Sequence, residues 1–486
     1  MSGGPTSGPI LVLQMQRMGD LVLTYPLLLW LGRCYPGRQI HVVAEASFFN
    51  PLLPVSPPAA YISWLDAAAG ALDSQHYRLV VNLSIREEAA RLAGRLSADV
   101  TVGPVLGADG ALRVRGAWQL YRASLVQNNR YNRFHWADLN ALDIVPFSAT
   151  RNTHFDLPRE PQGQEGKSVG VFVGASEPGK RPDAAFYAGL IRELLDRDLR
   201  PVLLGGPADM PVAAEIRALF DHPALDLVGK LSLAELVAAG RTLGLFITPD
   251  TGPMHVAAWT GLKTLNLSVG NVNPWETGPY QPGHLVLRSS ASCARGCWAC
   301  DRKSALCRPA LTPRRVAALA ATILRGPAER LERLQMPGMA LYGTERTAEG
   351  LFGMRRLGLP DAARPPAPVA VSEELAGMFW RAFFLWRLSG AEEKPVRAAW
   401  EALGGAHPRL AANVRRSLPG LGRRAARLAA DLAAGGLVPP RSLVSGSPPF
   451  WRPLAGYLEA ALENEDATQE SARRCLEHLE ALAAIL

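Results

Sequence analysis

Residues 245–259 read Leu-Phe-Ile-Thr-Pro-Asp-Thr-Gly-Pro-Met-His-Val-Ala-Ala-Trp, and this segment combines a predicted strand, a polar turn and a predicted helix. The apolar run 245–248 predicts a buried strand, and the run 256–259 predicts the first turns of a helix. Between them lies a polar turn with a glycine, a geometry that presents free backbone N–H groups to an anion. The same turn also fits an ordinary helix cap, since Asp and Thr are common capping residues.

The same strand–turn–helix alternation recurs in two parts of the chain, residues 8–158 and 168–326. It predicts two doubly wound α/β domains, with a cleft for ligands between their facing strand ends. Residues 158–167 are rich in Pro, Gly and charge without periodicity, which is typical of a linker. The strand-like runs are 10–13, 40–43, 79–83, 168–173, 202–204, 245–248 and 263–267, and helical stretches include 21–33, 183–195 and 233–239.

The last part of the chain, residues 371–486, follows a proline-rich tract and is rich in Ala, Leu and Arg. No strand signals stand out there, so the sequence predicts an all-helical extension. Within it, Phe379-Trp380-Arg381 and Leu385-Trp386-Arg387 fit two interpretations. They could rest on a membrane face, or they could belong to a helix-bundle core with arginines that reach to solvent.

Composition bounds the classes of function. The 486 residues are 48% hydrophobic and 20% charged, as expected for a globular protein of two or three domains. No run of eighteen apolar residues occurs, and the start of the chain has no secretory pattern, so we expect a cytoplasmic protein. The formal net charge of +8 favours acidic partners, but no nucleic-acid motif accompanies it, and we predict no nucleic-acid partner. Arginines cluster at 409, 415, 416, 423, 424 and 427.

The first predicted strand runs into Gln14-Met15-Gln16-Arg17-Met18-Gly19-Asp20. A glycine at this strand-to-helix turn lets a substrate approach the backbone. Asp20 fits either a helix cap or a general base that takes a proton from a hydroxyl. The G-x-G-x-x-G fingerprint of dinucleotide-binding proteins is missing.

Two loops of the second domain carry candidate residues for binding phosphate or ribose. The loop 174–180 contains Ser176 and ends in Lys180, whose ammonium could lie over phosphate oxygens. Its spacing does not match the P-loop of nucleotide triphosphatases. After the next strand, Asp209 could contact a ribose hydroxyl or cap the following helix.

Four cysteines lie close together in the sequence, at Cys293, Cys297, Cys300 and Cys307. A cluster of this kind signals metal more often than a disulfide in a reducing compartment. Structural zinc sites, however, prefer two C-x2-C pairs, and only Cys297 and Cys300 make one. An ordinary thiol-bearing loop is therefore favoured, and a metal site stays the alternative.

Over residues 8–326 the chain resembles glycosyltransferase family 9, typified by bacterial ADP-heptose lipopolysaccharide heptosyltransferases. The resemblance rests on three segments: residues 10–26 with Gly19 and Asp20, the loop 174–180, and Asp250-Thr251-Gly252-Pro253-Met254-His255. It implies a GT-B fold, in which two Rossmann-like domains face a cleft. Arg181 follows the donor lysine where the family usually has tryptophan, and the helical extension has no counterpart in the typical enzyme.

The resemblance implies an inverting, metal-independent transfer of a heptose-like sugar to a glycan or lipopolysaccharide-type, lipid-linked acceptor. Asp20 would be the general base, with Arg17 and Gly19 on the acceptor side. No cofactor is required, and the donor would be a nucleotide-diphosphate sugar resembling ADP-heptose. The implied location, the cytoplasm, allows peripheral contact with the cytoplasmic face of the inner membrane. A sugar-nucleotide epimerase and a non-catalytic binding protein are alternatives on the same fold. The implied donor-side residues are Ser176, Lys180, Asp209, Asp250, Thr251, Gly252 and His255.

Overall fold

The computed structural model describes residues 8–154, 166–221, 223–291, 297, 300, 302, 305–327, 329–358, 368–435 and 441–486. Most of the predicted linker 158–167 lies outside these ranges. The described elements form two sheets with helices on their faces, followed by a block of helices. This architecture confirms the predicted α/β class with a helical C-terminal region.

The first sheet has the strand order β3-β2-β1-β4-β5-β6, and all its strands are parallel except β6. Its central strands are short apolar runs buried on both faces, as expected when helices cover both sides. The elements are β1 (Ile10–Leu13), α1 (Met18–Val22), α2 (Tyr25–Cys34), β2 (Ile40–Ala44), α3 (Ala46–Phe49), β3 (Ala60–Ser63), α4 (Trp64–Ala68), β4 (Tyr77–Asn82), α5 (Glu87–Arg95), β5 (Ala98–Leu106), β6 (Leu112–Arg115), α6 (Ala117–Ser124), α7 (Trp136–Leu139) and α8 (Phe147–Thr150).

The second sheet has the order β14-β13-β12-β11-β10-β7-β8-β9, with only β13 and β14 antiparallel to their neighbours. The elements are β7 (Ser168–Phe172), α9 (Ala184–Leu195), β8 (Arg200–Leu204), α10 (Met210–Leu219), β9 (Leu225–Asp226), α11 (Leu233–Gly240), β10 (Leu245–Thr248), α12 (Gly252–Trp259), β11 (Thr264–Ser268), α13 (Pro274–Thr277), β12 (Leu285–Ser289), α14 (Pro313–Arg325), α15 (Glu329–Glu332), β13 (Met339–Arg346) and β14 (Phe352–Leu357).

This sheet continues past residue 326, the predicted end of the second domain. The hairpin of β13 and β14 adds two strands at its edge. Both strands carry charged residues, as in Thr344-Glu345-Arg346, because an edge hairpin is partly open to solvent. A search for fully apolar strands therefore passes over them.

The helical block consists of α16 (Pro368–Ser389), α17 (Lys394–Ala406), α18 (Pro408–Ala433), α19 (Ser442–Ser445), α20 (Arg452–Asn464) and α21 (Gln469–Ile485). Its hydrophobic core is continuous with that of the first part of the chain. Trp118 and Tyr121 of α6 and Phe134 belong to the same buried cluster as Phe379 and Phe384 of α16. The extension is therefore integrated into the fold rather than appended to it.

The aromatic and arginine motif of α16 lies inside this core. Phe379 and Trp380 are 0% and 1% exposed, and Arg381 is buried with them. The guanidinium of Arg381 donates to the carbonyl oxygens of Arg133 and Phe352, so it is satisfied within the protein. The membrane-face interpretation of this motif is therefore wrong. The bundle-core interpretation is correct for the aromatic rings but wrong for Arg381, which is buried and does not reach solvent. Among the described residues, no helix is both long and apolar enough to span a bilayer.

Candidate active site

A cleft of about 1030 Å³ lies where both sheets present the carboxyl ends of their strands. In the first sheet the strand order reverses direction between β1 and β4, and in the second it reverses between β7 and β10. Ligands of doubly wound folds bind outside such switch points. The segments after β1, β7 and β10 all line this cleft.

All the predicted acceptor-side and donor-side residues lie along this one cleft, although they come from distant parts of the sequence. Two belong to the segment after β7, one to the segment after β8, and the others to the starts of α1 and α12 and the turns before them. Their chemical roles stay predictions. The lining residues among them are Arg17, Gly19, Asp20, Ser176, Lys180, Asp209, Asp250, Thr251, Gly252 and His255.

The starts of α1 and α12 touch each other, and glycines make this close approach feasible. A Cβ atom on Gly19 would lie 2.9 Å from Cδ2 of His255, and a Cβ on Gly252 would lie 2.5 Å from Cε of Met18. Without these glycines the two helices would have to separate. The contact brings Asp20 in α1 to the same place as the turn that precedes α12.

Asp20 is held at the third position of α1. Its Oδ2 accepts a hydrogen bond from the backbone N–H of Arg17 at 3.2 Å, so the residue does cap its own helix. Burial raises the pKa of Asp20 above its usual range, while the positive charge of Arg122 acts against this rise. A carboxylate with a raised pKa at a ligand cleft is a candidate proton acceptor.

Asp250 follows β10 and lines the cleft with a half-buried side chain. The pKa of Asp250 is raised to about 6, mainly by burial and to a smaller extent by the negative charge of Asp20. Opposing these effects, Thr277 donates a hydrogen bond to Oδ2 of Asp250 at 2.8 Å, and the charge of Lys180 lies close enough to lower the pKa. Asp20 and Asp250 therefore interact electrostatically across the cleft.

His255 lies in the first turn of α12 beside Asp250. The distance from its Nε2 to Oδ1 of Asp250 is 3.9 Å. Burial lowers the pKa of His255 to about 4, so the ring is neutral at pH 7. Its Nδ1 is buried without a hydrogen-bond partner among the described residues.

The loop after β7 carries Ser176 and Lys180. Lys180 ends a short 3-10 turn, Pro178–Lys180, and its Nζ lies 3.1 Å from a carboxylate oxygen of Glu177. Arg308 supports this turn by donating to the carbonyl oxygens of Pro178 and Gly179. The ammonium of Lys180 is thus held at the cleft by an exposed partner that an anionic ligand can replace.

Asp209 lies at the cleft, and its carboxylate caps the 3-10 turn Pro207–Asp209 rather than α10, the helix considered for it, because its side chain accepts no hydrogen bond from the start of α10. Its Oδ2 accepts a hydrogen bond from the backbone N–H of Gly206 at 2.8 Å. A Cβ on Gly174 would lie 2.1 Å from the same oxygen, so the carboxylate fills the space above the strand end. A contact between Asp209 and a ribose stays a prediction.

Several cleft residues escape prediction from sequence. Arg122 of α6 lies with its Cζ 5.2 Å from the ring centre of Trp136, and only the tertiary structure brings these two side chains to the cleft. Arg86 follows β4 and pairs with Glu45, which follows β2, at 3.2 Å. The strands β2 and β4 are predictable from their apolar runs, but no motif after them marks Arg86 and Glu45 as an ion pair. The Pro and Gly around α13 predict a turn near Thr277, but they do not indicate that Thr277 reaches the cleft.

The structure describes only part of the cysteine cluster. Cys293 lies outside the described residues, while Cys297 is half-buried, Cys300 is exposed and Cys307 is buried. No group of three or more His, Cys, Asp or Glu side chains in the described ranges is placed to hold a metal ion. A site that includes Cys293 stays a prediction.

Comparisons with known proteins agree with this geometry. The profile of "Glycosyltransferase family 9 (heptosyltransferase)" matches residues 114–303. The chain is 24% identical over 356 residues to lipopolysaccharide heptosyltransferase 1 of Pseudomonas aeruginosa, a match that covers 65% of this chain and 98% of that one. It is 27% identical over 96 residues to the lipopolysaccharide core heptosyltransferase OpsX of Haemophilus influenzae, or 19% of this chain and 27% of that one.

A solved structure shares the fold. The glycosyl transferase family 9 protein from Veillonella parvula superposes with a TM-score of 0.50 at 20% identity, and the match covers 67% of this chain and 99% of that one. Two Rossmann-like domains that face a cleft define the GT-B fold. Among proteins of that fold, the chain is similar to the heptosyltransferases of glycosyltransferase family 9.

Proposed function

We propose that the protein transfers a heptose-like sugar from a nucleotide-diphosphate donor, resembling ADP-heptose, to a hydroxyl of a lipopolysaccharide-type, lipid-linked acceptor. The observation that carries this proposal is the contact of α1 with α12, which brings Asp20 opposite the turn at Asp250. The names of the curated relatives, both of them heptosyltransferases, support the choice of sugar and acceptor.

The donor diphosphate would lie at the start of α12. Backbone N–H groups at a helix start and the positive end of the helix dipole attract an anion. Lys180 would leave Glu177 and neutralise the phosphate oxygens. The neutral ring of His255 would contribute its unpartnered Nδ1 to this region.

The reaction then needs one proton acceptor. The carboxylate of Asp20 would take the proton of the acceptor hydroxyl, whose oxygen forms a bond to the anomeric carbon. The bond from that carbon to the diphosphate oxygen breaks, and its electron pair leaves with the nucleoside diphosphate. Attack from the face opposite the leaving group inverts the anomeric centre. Lys180 and the start of α12 stabilise the developing charge, so the transfer requires no metal ion.

Replacement of the base tests this assignment. Asp20→Asn should lower the transfer rate by about 10²–10⁴-fold, the usual contribution of general base catalysis, and leave nucleotide-sugar binding largely unchanged. Asp66→Asn is the matched control, because Asp66 is also the third residue of a five-residue helix but lies outside the cleft. Transfer should persist in the presence of a metal chelator.

The outcomes discriminate between the candidate functions. Unchanged turnover of Asp20→Asn would contradict the assignment of the base. Conversion of the donor without any acceptor would point to the epimerase alternative. Donor binding without product, across a panel of acceptors, would indicate a non-catalytic binding protein, and loss of transfer on chelation would contradict the metal-independent mechanism.

A further inference from the structure

The exposed side of α18 carries a line of four arginines, Arg409, Arg416, Arg423 and Arg427. Spacings of seven, seven and four residues place their side chains on one side of the helix. At 1.5 Å per residue the line is about 27 Å long. We call these four residues the arginine stripe.

The charge of the stripe is not compensated. Helix α18 contains six arginines and a single acidic residue, Asp431, and none of the four stripe arginines forms an ion pair with another described residue. Arginines on neighbouring helices do pair: Arg397 of α17 with Glu393 at 2.6 Å, and Arg473 of α21 with Glu470 at 2.7 Å.

The stripe is fixed in its outward orientation. The opposite side of α18 packs into the core of the helical block through Ala411, Val414, Leu421, Ala425 and Leu428. The two remaining arginines are engaged elsewhere: Arg415 lies over the ring of Trp400, and Arg424 donates to Ser447. The four guanidinium groups of the stripe therefore face solvent together.

We propose that the arginine stripe docks the protein on an anionic lipid bilayer by binding lipid phosphates. This inference rests on the proposed function, because a lipid-linked acceptor has to be met at a membrane surface. Guanidinium groups bind phosphate oxygens in a bidentate manner. Helix α18 contains no aromatic residue that could stack on bases, so the stripe fits lipid headgroups better than single-stranded nucleic acid.

The docking is electrostatic and does not involve insertion. No large apolar side chain of α18 is strongly exposed, so the stripe offers charge but no apolar wedge. Attraction of this kind acts within a Debye length and weakens as salt is added. High salt should therefore release the protein from vesicles.

Vesicle sedimentation of the full chain tests the proposal. The protein should bind vesicles of phosphatidylcholine and phosphatidylglycerol and should not bind phosphatidylcholine alone. The fourfold variant Arg409→Gln, Arg416→Gln, Arg423→Gln and Arg427→Gln should bind the anionic vesicles more weakly by on the order of several hundredfold, since each basic residue near the surface contributes about fivefold.

A control variant removes the same number of positive charges from arginines that form ion pairs. Arg113→Gln, Arg397→Gln, Arg473→Gln and Arg474→Gln all act on such pairs, and the combined variant should keep most of the vesicle affinity. Equal losses in both variants would reduce the effect to net charge and overturn the stripe as a docking surface. Unchanged binding of the stripe variant would also overturn it, as would a clear preference of the wild type for duplex DNA over anionic vesicles.

Failure of the docking surface is distinguishable from failure of the proposed function. The stripe lies outside the cleft, so the stripe variant should retain nucleotide-sugar binding and transfer to a soluble acceptor fragment. A wild-type protein that binds anionic vesicles but transfers no sugar would contradict the proposed function and leave the docking surface standing. A protein that transfers sugar but does not bind anionic vesicles would contradict the docking surface and leave the proposed function standing.

Discussion

The carboxyl of Asp250 costs stability at neutral pH, because its ionised form is unfavourable in the folded protein. Its half-buried carboxyl accepts a hydrogen bond from Thr277, and its pKa of about 6 lies above the ordinary value of 3.8. A raised pKa means that folding favours the neutral form. Below pH 3.8 the carboxyl is protonated in both the folded and the unfolded chain, and its burial costs no ionisation energy. As the pH rises through about 6 the folded protein loses this proton, and its free energy of unfolding falls.

This linkage predicts the effect of Asp250→Asn on stability. The amide stays neutral at every pH, so the free energy of unfolding of the variant should exceed that of wild type by about 1–3 kcal/mol at pH 8, because one pKa unit corresponds to about 1.4 kcal/mol. The gain should disappear near pH 4, where the wild-type carboxyl is protonated as well. Urea denaturation across this pH range measures the difference. A gain of the same size at pH 4 and pH 8 would show that ionisation of Asp250 does not limit stability.

Among the helices and strands, the contact between α1 and α12 sets the distance between Asp20 and the turn at Asp250. Gly19→Ala places a methyl group 2.9 Å from the ring of His255, and that ring is buried and cannot move aside freely. The helices must then separate, and sub-ångström placement matters for transfer. We expect transfer to fall by about 10²-fold.

Gly32→Ala is the matched control for this substitution. Gly32 lies inside α2, and a Cβ atom there would meet nothing within 4 Å. This variant should keep full activity and gain roughly 0.5–1 kcal/mol of stability, the helical advantage of alanine over glycine. Transfer rates and thermal unfolding of both variants make the comparison. Full activity of Gly19→Ala would show that the contact does not determine the geometry of the site.

The elements themselves are predictable from sequence to the extent that they are buried on both faces. The apolar runs 10–13 and 245–248 match β1 and β10 in full, because helices cover both sides of these strands. Strand β5 contains Gly103 and Pro104, and it mixes exposed with buried residues, so no apolar run marks it. The helix predicted over residues 21–33 is divided into α1 and α2 near Thr24, ahead of Pro26.

The same distinction applies to the cleft. Residues on strand–turn–helix junctions, such as Asp20 and Asp250, are recognisable locally because the fold directs strand ends to the ligand. Arg122 and Trp136 reach the cleft from α6 and α7, whose positions depend on packing against residues far away in sequence. A local pattern holds no information about such packing.

At the scale of the whole molecule, the helical block completes the core of the first domain. Trp118, Tyr121 and Phe134 are at most 1% exposed, and the block covers them. Removal of residues 368–486 would uncover these rings, each worth roughly 1.5–3 kcal/mol when buried, against a typical total stability of about 5–15 kcal/mol. We expect the chain truncated after residue 358 to be insoluble or to unfold at a much lower temperature than the full-length protein. A soluble truncated chain with an unchanged thermal transition would contradict this.

A double-mutant cycle tests whether the helical block and the first domain stabilise each other, without removing either of them. The ring of Tyr121 in α6 lies 4.5 Å, centre to centre, from the ring of Phe384 in α16, so the pair joins the first domain to the helical block. Aromatic pairs of this kind contribute about 0.5–1.5 kcal/mol beyond burial, and the effects of Tyr121→Leu and Phe384→Leu on unfolding should be non-additive by that amount. Tyr121→Leu with Phe172→Leu is the control, because Phe172 belongs to a separate core cluster of the second sheet and the two effects should add. Additive effects in the first pair would show that these two rings do not couple the helical block to the first domain.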